Sequence, residues 1–242
     1  MIAKLYSPHF KKSEIFVLSV LTFVVFISLE TLAQDTIFIM NPSFEGVPKK
    51  GGLLSKEEQS KISSKKNKLY TSFDMEGWKD CGCEYCTPPD IHPDSFWGNT
   101  LEPADGKTYL GLVARDNDIF EAVGQELSAP LLPGICYCMD IYVAKAENYW
   151  SNSPTTGVKM NFNSSLVLEL FGGDDLCSEK SLLTTSSLIR NSEWNQMKMC
   201  FKPKDKMNYL TIQARWKRPF LQSYNGNVLI DGMSHIYSVD CE

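Results

Sequence analysis

The chain has 242 residues, of which 43% are hydrophobic and 12% aromatic, so it carries enough apolar material to bury a core. Its formal net charge of −5 argues against a nucleic-acid partner, which would require a basic face. The length suits one large β domain better than two small ones.

The N-terminus has the composition of a signal peptide. Lys4, Lys11 and Lys12 form a basic region ahead of an apolar run at 15–29. That run is shorter than the roughly 20 residues that span a bilayer, and the small-residue pattern ending at Ala33 suits cleavage. We therefore predict a signal peptide at 1–33 and a single exported domain at 34–242 with no transmembrane segment, located in the periplasm, on the cell surface or outside the cell. An uncleaved membrane anchor is the alternative.

A lysine-rich segment follows the first predicted strand. Residues 49–68 contain seven lysines and two glutamates, together with Gly and Ser, and no aromatic residue. A segment of this composition buries little apolar surface, which favours a mobile surface insertion at about 48–70. A loop that binds a polyanion is the alternative interpretation.

The cysteines lie beyond the predicted leader. An even number of them in an oxidising compartment indicates disulfides, with the pairing left open. A zinc site is the alternative, because three of these cysteines and His92 would supply about four soft ligands, but their Cys-x-Cys-x2-Cys spacing is uncommon for zinc. The eight cysteines are Cys81, Cys83, Cys86, Cys136, Cys138, Cys177, Cys200 and Cys241.

Most of the remaining chain is predicted to form short strands separated by Gly, Pro, Asn and Asp. Apolar and polar residues alternate along them, as in 135–143, where Ile135, Met139 and Ile141 share one face and Asp140 shares the other. This pattern predicts an all-β fold, a jelly-roll β-sandwich of two antiparallel sheets. The predicted strands are Thr36–Met40, Thr108–Ala114, Phe120–Leu127, Ile135–Lys145, Ser165–Gly172, Trp194–Pro203, Tyr209–Trp216 and Val228–Val239.

A series of short motifs carries a resemblance to a known fold family. They include "NPSFEG" at 41–46, "DGKTYLGLVA" at 105–114, "VGQELSAPLLPGICYCMDIYVA" at 123–144 and "GNVLIDGMSHI" at 226–236. In this order they resemble the galactose-binding-like jelly-roll modules, among them many carbohydrate-binding modules. The version that is most similar occurs in surface and secreted proteins of Gram-negative bacteria. The resemblance covers nearly all of the chain beyond the leader.

The resemblance also implies a structural calcium ion. In the similar modules, the carboxylate of the "NPSFE" motif and the aspartate of "LIDG" commonly help to hold calcium, and here these residues are Glu45 and Asp231. Calcium needs six to eight oxygen ligands, so two carboxylates alone leave an alternative open. Glu45 would then satisfy backbone N–H groups, and Asp231 would form a turn.

The sequence favours a binding function over catalysis. It has no G-x-S-x-G, H-E-x-x-H or P-loop motif, and pairing of the cysteines would leave no nucleophilic thiol. Aromatic rings in predicted loops would stack on sugars, with polar neighbours contacting the hydroxyl groups. The candidate ligand-binding residues are Trp97, Asp140, Tyr142, Tyr149 and Trp150.

We therefore expect a non-catalytic exported module that binds a glycan or a cell-surface partner. Two alternatives remain open. One is a structural or adhesive module for protein–protein contacts, with no sugar site. The other is a hydrolase whose catalytic residues form no recognisable motif.

Overall fold

In the computed structural model, the described residues are 36–54, 56, 70–83, 86–217 and 222–241. The predicted signal peptide at 1–33 and most of the predicted insertion at 48–70 lie outside them. Within the described ranges, no helix has the length and apolar composition needed to cross a membrane.

The described residues form an all-β fold, as the alternating pattern predicts. A short 3-10 helix, Phe96–Gly98, lies between β3 and β4. The strands are β1 (Thr36–Ile37), β2 (Lys79–Asp80), β3 (Asp90–His92), β4 (Tyr109–Ala114), β5 (Ala122–Leu131), β6 (Cys136–Ala144), β7 (Trp150–Asn152), β8 (Lys159–Asn161), β9 (Val167–Gly173), β10 (Ser181–Thr185), β11 (Asn195–Phe201), β12 (Met207–Arg215), β13 (Gly226–Asp231) and β14 (Ile236–Val239).

Two antiparallel sheets make up the sandwich. The larger sheet has the order β1-β14-β6-β13-β4-β3, and β11 pairs with the remaining edge of β6 along its length. The smaller sheet has the order β10-β9-β12-β5-β2. The first and last strands lie side by side, with Thr36 opposite Tyr237. A separate hairpin, β7–β8, carries Trp150.

The main core lies between the two sheets, and its composition follows from the period of two in each strand. Leu110 and Leu112 of β4 and Met139 and Ile141 of β6 are completely buried in it. Trp78 is also buried there. The inward-facing residues of β6 are therefore those that the alternation predicts.

The opposite face of the larger sheet carries a second, smaller apolar cluster. Tyr109 and Val113 of β4 and Leu229 of β13 point away from the main core and contact residues outside the sheet. Tyr149 and Phe162, at the ends of the β7–β8 hairpin, complete this cluster. The hairpin and its flanking residues thus add a layer to the sandwich on this face.

All eight cysteines are paired, as the sequence predicts for an oxidising compartment. The alternative zinc site is wrong, because the sulfur atoms of its three cysteines are consumed in disulfides and His92 stacks on Tyr109. Four disulfides are typical of exported or extracellular proteins. The pairs are Cys81–Cys177, Cys83–Cys86, Cys136–Cys241 and Cys138–Cys200.

The structure corrects the predicted strands in two ways. The predicted strand Val228–Val239 is interrupted, because Gly232 has a φ of 47° in a turn that separates β13 from β14. Five short strands were missed: β2, β3, β7, β8 and β10. Strands of two to five residues contain too few alternations to stand out from a loop.

Candidate ligand-binding cleft

A cleft of about 1260 Å³ lies beside the second apolar cluster. Six parts of the chain line it: the segment 48–53, Tyr70 and Thr71, Cys86 and Thr87, the 3-10 helix at Phe96–Gly98, the turn after β4 and the β7–β8 hairpin. Trp97 and Trp150 contribute aromatic rings, and Trp150 is 45% exposed. An open aromatic ring in a cleft with polar neighbours is a common arrangement in small-molecule and sugar sites.

Asp90 fixes the position of Trp97 from beneath the cleft. Its side chain is only 1% exposed, and it accepts hydrogen bonds from Trp97 Nε1, at 3.0 and 3.1 Å to its two oxygens. The Gly51 N–H donates to Oδ1 at 2.6 Å, and the Tyr149 hydroxyl donates to Oδ2 at 2.5 Å. Burial and then the Asp90 charge raise the pKa of Tyr149 well above its usual value, which keeps this hydroxyl a donor. One carboxylate therefore joins three segments of the cleft.

The backbone at Trp97 is in an unusual conformation. Trp97 has φ 58° and ψ 9°, and Ser95 has φ 53° and ψ 22°, so both lie in the left-handed region. Bulky residues rarely adopt this region, and such positions persist where surrounding contacts hold them, often at ligand sites. Here the contacts are the bond to Asp90 and a stack between the Trp97 and Tyr149 rings, with centroids 5.6 Å apart.

A buried ion pair lies next to Asp90. Arg115 Nη2 is 2.8 Å from Oε1 of Glu121, which also accepts a hydrogen bond from the Thr87 hydroxyl at 2.9 Å. The Val113 N–H donates to Oε2 at 3.0 Å. Burial raises the pKa of Glu121, and the Arg115 guanidinium opposes this increase. Among the described residues, Arg115 Nη1 has no hydrogen-bond partner, and Arg115 and Thr87 reach the cleft surface.

The structure separates the five predicted ligand-binding residues. Trp97 and Trp150 both line the cleft, although Trp150 lies in strand β7 and not in the loop that the sequence suggests. Tyr149 is 2% exposed, so the expectation that its ring is open to a ligand is wrong. Its hydroxyl is buried against Asp90, and its ring lies between Trp97 and Phe162.

Asp140 and Tyr142 occupy the outward face of β6, as predicted, but away from the lining of the cleft. Asp140 accepts a hydrogen bond from the Tyr237 hydroxyl at 2.9 Å. Tyr142 is opposite Asp231 in β13 and packs beside Gly232. The closeness of Asp140 and Tyr149 in the sequence therefore does not place Asp140 at the cleft, because the chain turns after β6.

Lys49 and Lys50 line the cleft. The sequence favoured a solvated insertion for their segment, with a polyanion-binding loop only as the alternative. The structure instead pairs Lys49 with Ile91 of β3 through two backbone hydrogen bonds of 2.8 Å. Lys49, Lys50 and Lys159 line the cleft. Only the unusual lysine density of 49–68 pointed to this segment.

Glu45 and Asp231 contact the same loop, at 104–108, from two sides. Glu45 Oε1 accepts from the Lys107 N–H at 2.7 Å. Asp231 Oδ2 accepts from the N–H groups of Ala104 and Asp105 at 2.8 and 2.9 Å. Carboxylate oxygens are ligands that calcium prefers, but Glu45 Oε1 and Asp231 Oδ2 already accept hydrogen bonds from backbone N–H groups. Within the described ranges, no group of three or more His, Cys, Asp or Glu side chains is arranged to hold a metal. Calcium stays a prediction.

Comparisons with solved structures find proteins of similar fold. The chain is similar to a cyclase from Fischerella sp. TAU, with a TM-score of 0.50 and 13% identity over 87% of this chain and 100% of that one. No family model matches the chain, and no curated protein matches it in sequence.

Carbohydrate-binding modules are also among the similar structures. The CBM22-1 xylan-binding domain of Paenibacillus barcinonensis Xyn10C has a TM-score of 0.39 and 10% identity over 69% of this chain and 88% of that one. The C-terminal CBM6 of LamC, a marine laminarinase from Zobellia galactanivorans, has a TM-score of 0.35 and 8% identity over 67% and 99%. Likeness at these identities concerns the fold alone. The chain has the jelly-roll β-sandwich fold that the sequence predicts.

Proposed function

We propose that this protein is an exported, non-catalytic module that binds a glycan in the cleft between Trp97 and Trp150. The observation that carries this proposal is the half-exposed Trp150 ring at a large cleft that also contains the polar side chains of Asn117 and Asn152. A ring face contacts the C–H surface of a sugar, and amide groups bond to its hydroxyls. Export is supported by the four disulfides.

The absence of catalysis in this proposal is supported by the burial of two carboxylates beside the cleft. Asp90 and Glu121 are each 1% exposed, and their oxygens accept hydrogen bonds from the protein itself. Most glycosidases use two carboxyl groups that face the sugar. Turnover of chromogenic glycosides or esters, abolished by substitution of one carboxylate or serine, would overturn this part of the proposal.

Replacing Trp150 with alanine is expected to weaken glycan binding at least about tenfold, which corresponds to about 1.4 kcal/mol. The ring is 45% exposed and contributes little to the core, so the melting temperature should stay nearly unchanged. Titration calorimetry against a glycan identified on an array, together with thermal unfolding, measures both quantities.

Val158→Ala is the matched control for Trp150→Ala. Val158 is an exposed apolar residue of the same hairpin and lies outside the cleft lining, so its loss should leave glycan binding intact. If Trp150→Ala unfolds the domain, the ring has a structural role. If no glycan binds at all, a module for protein–protein contacts becomes the better interpretation.

We also propose that calcium binds through Glu45 and Asp231 and stabilises the fold. A ligand that binds only the native state adds about 2.7 kcal/mol at a hundredfold excess over its dissociation constant. Calcium should therefore raise the melting temperature of the chelated protein. Glu45→Gln should abolish this rise while keeping an oxygen acceptor for the Lys107 N–H.

Glu126→Gln controls for the loss of one negative charge, because Glu126 is exposed on β5 in the other sheet. This variant should respond to calcium as the unsubstituted protein does. Identical melting curves with chelator and with calcium would eliminate the site and leave Glu45 and Asp231 as acceptors for backbone amides.

A further inference from the structure

The charged side chains that line the cleft are all cationic. They are Lys49, Lys50, Arg115 and Lys159, and among the described residues the lining contains no Asp or Glu. The whole chain carries a net charge of −5, so its charges are unevenly distributed and the cleft is a local cationic surface. Such a surface raises the local concentration of anionic ligands.

The lysine ammonium groups are not neutralised by ion pairs within the described part of the chain. The ion pairs found there involve Arg115, Lys180 and Arg215. Lys49 Nζ donates to the Ser72 hydroxyl at 3.0 Å. Lys50 Nζ lies 3.7 Å from the centroid of the Trp97 ring. A cation over an indole face is attracted to the ring without losing its charge.

The backbone position of Lys50 is fixed by the hydrogen bonds of its two neighbours, Lys49 and Gly51. The neighbouring Gly51 N–H donates to Asp90 at 2.6 Å, and Asp90 also accepts from the Trp97 indole. Lys49 pairs with Ile91 on the other side. The backbone on both sides of Lys50 is therefore fixed, and the ring that holds its ammonium group is fixed by the same carboxylate.

Three carboxylates beside the cleft lining accept hydrogen bonds from the protein itself. Asp90 is buried and accepts three donors of the protein. Glu121 is buried and paired with Arg115 at 2.8 Å. Asp116 accepts hydrogen bonds from Ser153 at 2.6 Å and from Thr155 at 3.0 Å. These carboxylates are therefore held by donors of the protein, and the charged side chains of the lining itself are Lys49, Lys50, Arg115 and Lys159.

We propose that the glycan bound in this cleft is anionic, with carboxylate or sulfate groups that contact Lys49, Lys50 and Lys159. This inference rests on the proposed glycan-binding function and names its ligand class. Trp150 contacts the apolar face of a sugar ring, and the lysines select chains that carry negative substituents. Neutral glycans of the same backbone keep the contacts with the ring and the amide groups but gain none with the lysines.

The test compares matched anionic and neutral glycans by titration calorimetry. Oligogalacturonate and its methyl ester form one pair, and a sulfated galactan and its desulfated form make the other. We expect each anionic member to bind at least about tenfold more tightly than its neutral partner at low salt. This preference should largely vanish at about 1 M NaCl, where the screening length is about 3 Å. The two pairs distinguish carboxylate from sulfate recognition.

The variant Lys50→Gln/Lys159→Gln should weaken anionic binding by about fivefold to tenfold, since exposed ion pairs contribute modestly. Lys202→Gln is the control, because Lys202 is exposed after β11 and lies outside the cleft lining. An equal loss from Lys202→Gln would show attraction to surface charge in general and overturn the inference. If neutral and anionic glycans bind equally well and both depend on Trp150, the inference of an anionic ligand is overturned. The proposed glycan-binding function would then still stand. Failure of all four glycans and of the array would overturn both.

Discussion

Replacing Asp90 with alanine is expected to lower the free energy of unfolding by about 3 to 5 kcal/mol, because each buried donor left without a partner costs about 1 to 3 kcal/mol. The donors are the Gly51 N–H, the Trp97 indole N–H and the Tyr149 hydroxyl. Urea unfolding of the purified, oxidised protein measures this change. It is among the largest effects of a single substitution that the structure predicts.

Two further variants make the Asp90 prediction specific. Asp94→Ala removes an exposed carboxylate from the turn after β3 and should change stability by less than about 0.5 kcal/mol. Tyr149→Phe removes one of the three donors and keeps the ring, so it should cost about 1 kcal/mol. Equal costs for Asp90→Ala and Asp94→Ala would show that the buried network contributes little.

The Asp90 substitution should also affect the cleft. Without this carboxylate, Trp97 and the segment that carries Lys50 lose their common attachment, so glycan binding should weaken even under conditions where the protein is folded. Trp150→Ala should instead weaken binding with little change in stability. These different combinations of effects distinguish a residue that positions the cleft from one that contacts the ligand. Intact binding by folded Asp90→Ala protein would contradict the positioning role.

Removal of the Cys81–Cys177 disulfide should destabilise the protein far more than removal of Cys83–Cys86. These bonds join residues separated by 96 and by 3 positions. The loop-entropy model assigns about 4.7 kcal/mol to a loop of 100 residues and about 2 kcal/mol to a loop of four. The two double alanine variants should thus differ by about 2 to 3 kcal/mol, or about 5 to 10 °C in melting temperature.

The comparison of the two double variants is internally controlled, since each removes one disulfide and two sulfur atoms. Both bonds include a cysteine of the same short segment, 81–86. Thermal unfolding without reductant measures the difference, and mass spectrometry confirms that the remaining three disulfides are formed. A larger loss for Cys83–Cys86 would show that local geometry at the cleft outweighs the entropy of the unfolded chain.

The sequence predicted the main strands because their signal is local. In β6, apolar residues at every second position assign Met139 and Ile141 to the core, and the structure confirms both. The same alternation in β11 places Met199 and Phe201 inward. Strands of two or three residues, such as β2 and β7, were missed because a period of two cannot be detected over so few positions.

The candidate site was predicted only in part. Trp97 and Trp150 were found because large aromatic residues are unusual among Asn, Ser, Pro and Gly. Tyr149 has the same sequence context as Trp150, yet the two residues have opposite environments. Trp150 is 45% and Tyr149 2% exposed, since neighbouring residues of an extended chain point to opposite sides. Their different roles depend on which side faces the second apolar cluster.

The sequence by itself determined the all-β class, the inward face of each long strand and the formation of disulfides. These properties depend on residue type, local periodicity and cellular compartment. Only the tertiary structure decided the pairing of the cysteines, the burial of Asp90 beneath Trp97 and the position of Lys49 and Lys50 at the cleft. Each of these requires residues distant in sequence to meet, as Lys49 does with Ile91. Alternation shows which face of a strand a side chain occupies, but not which other segment covers that face.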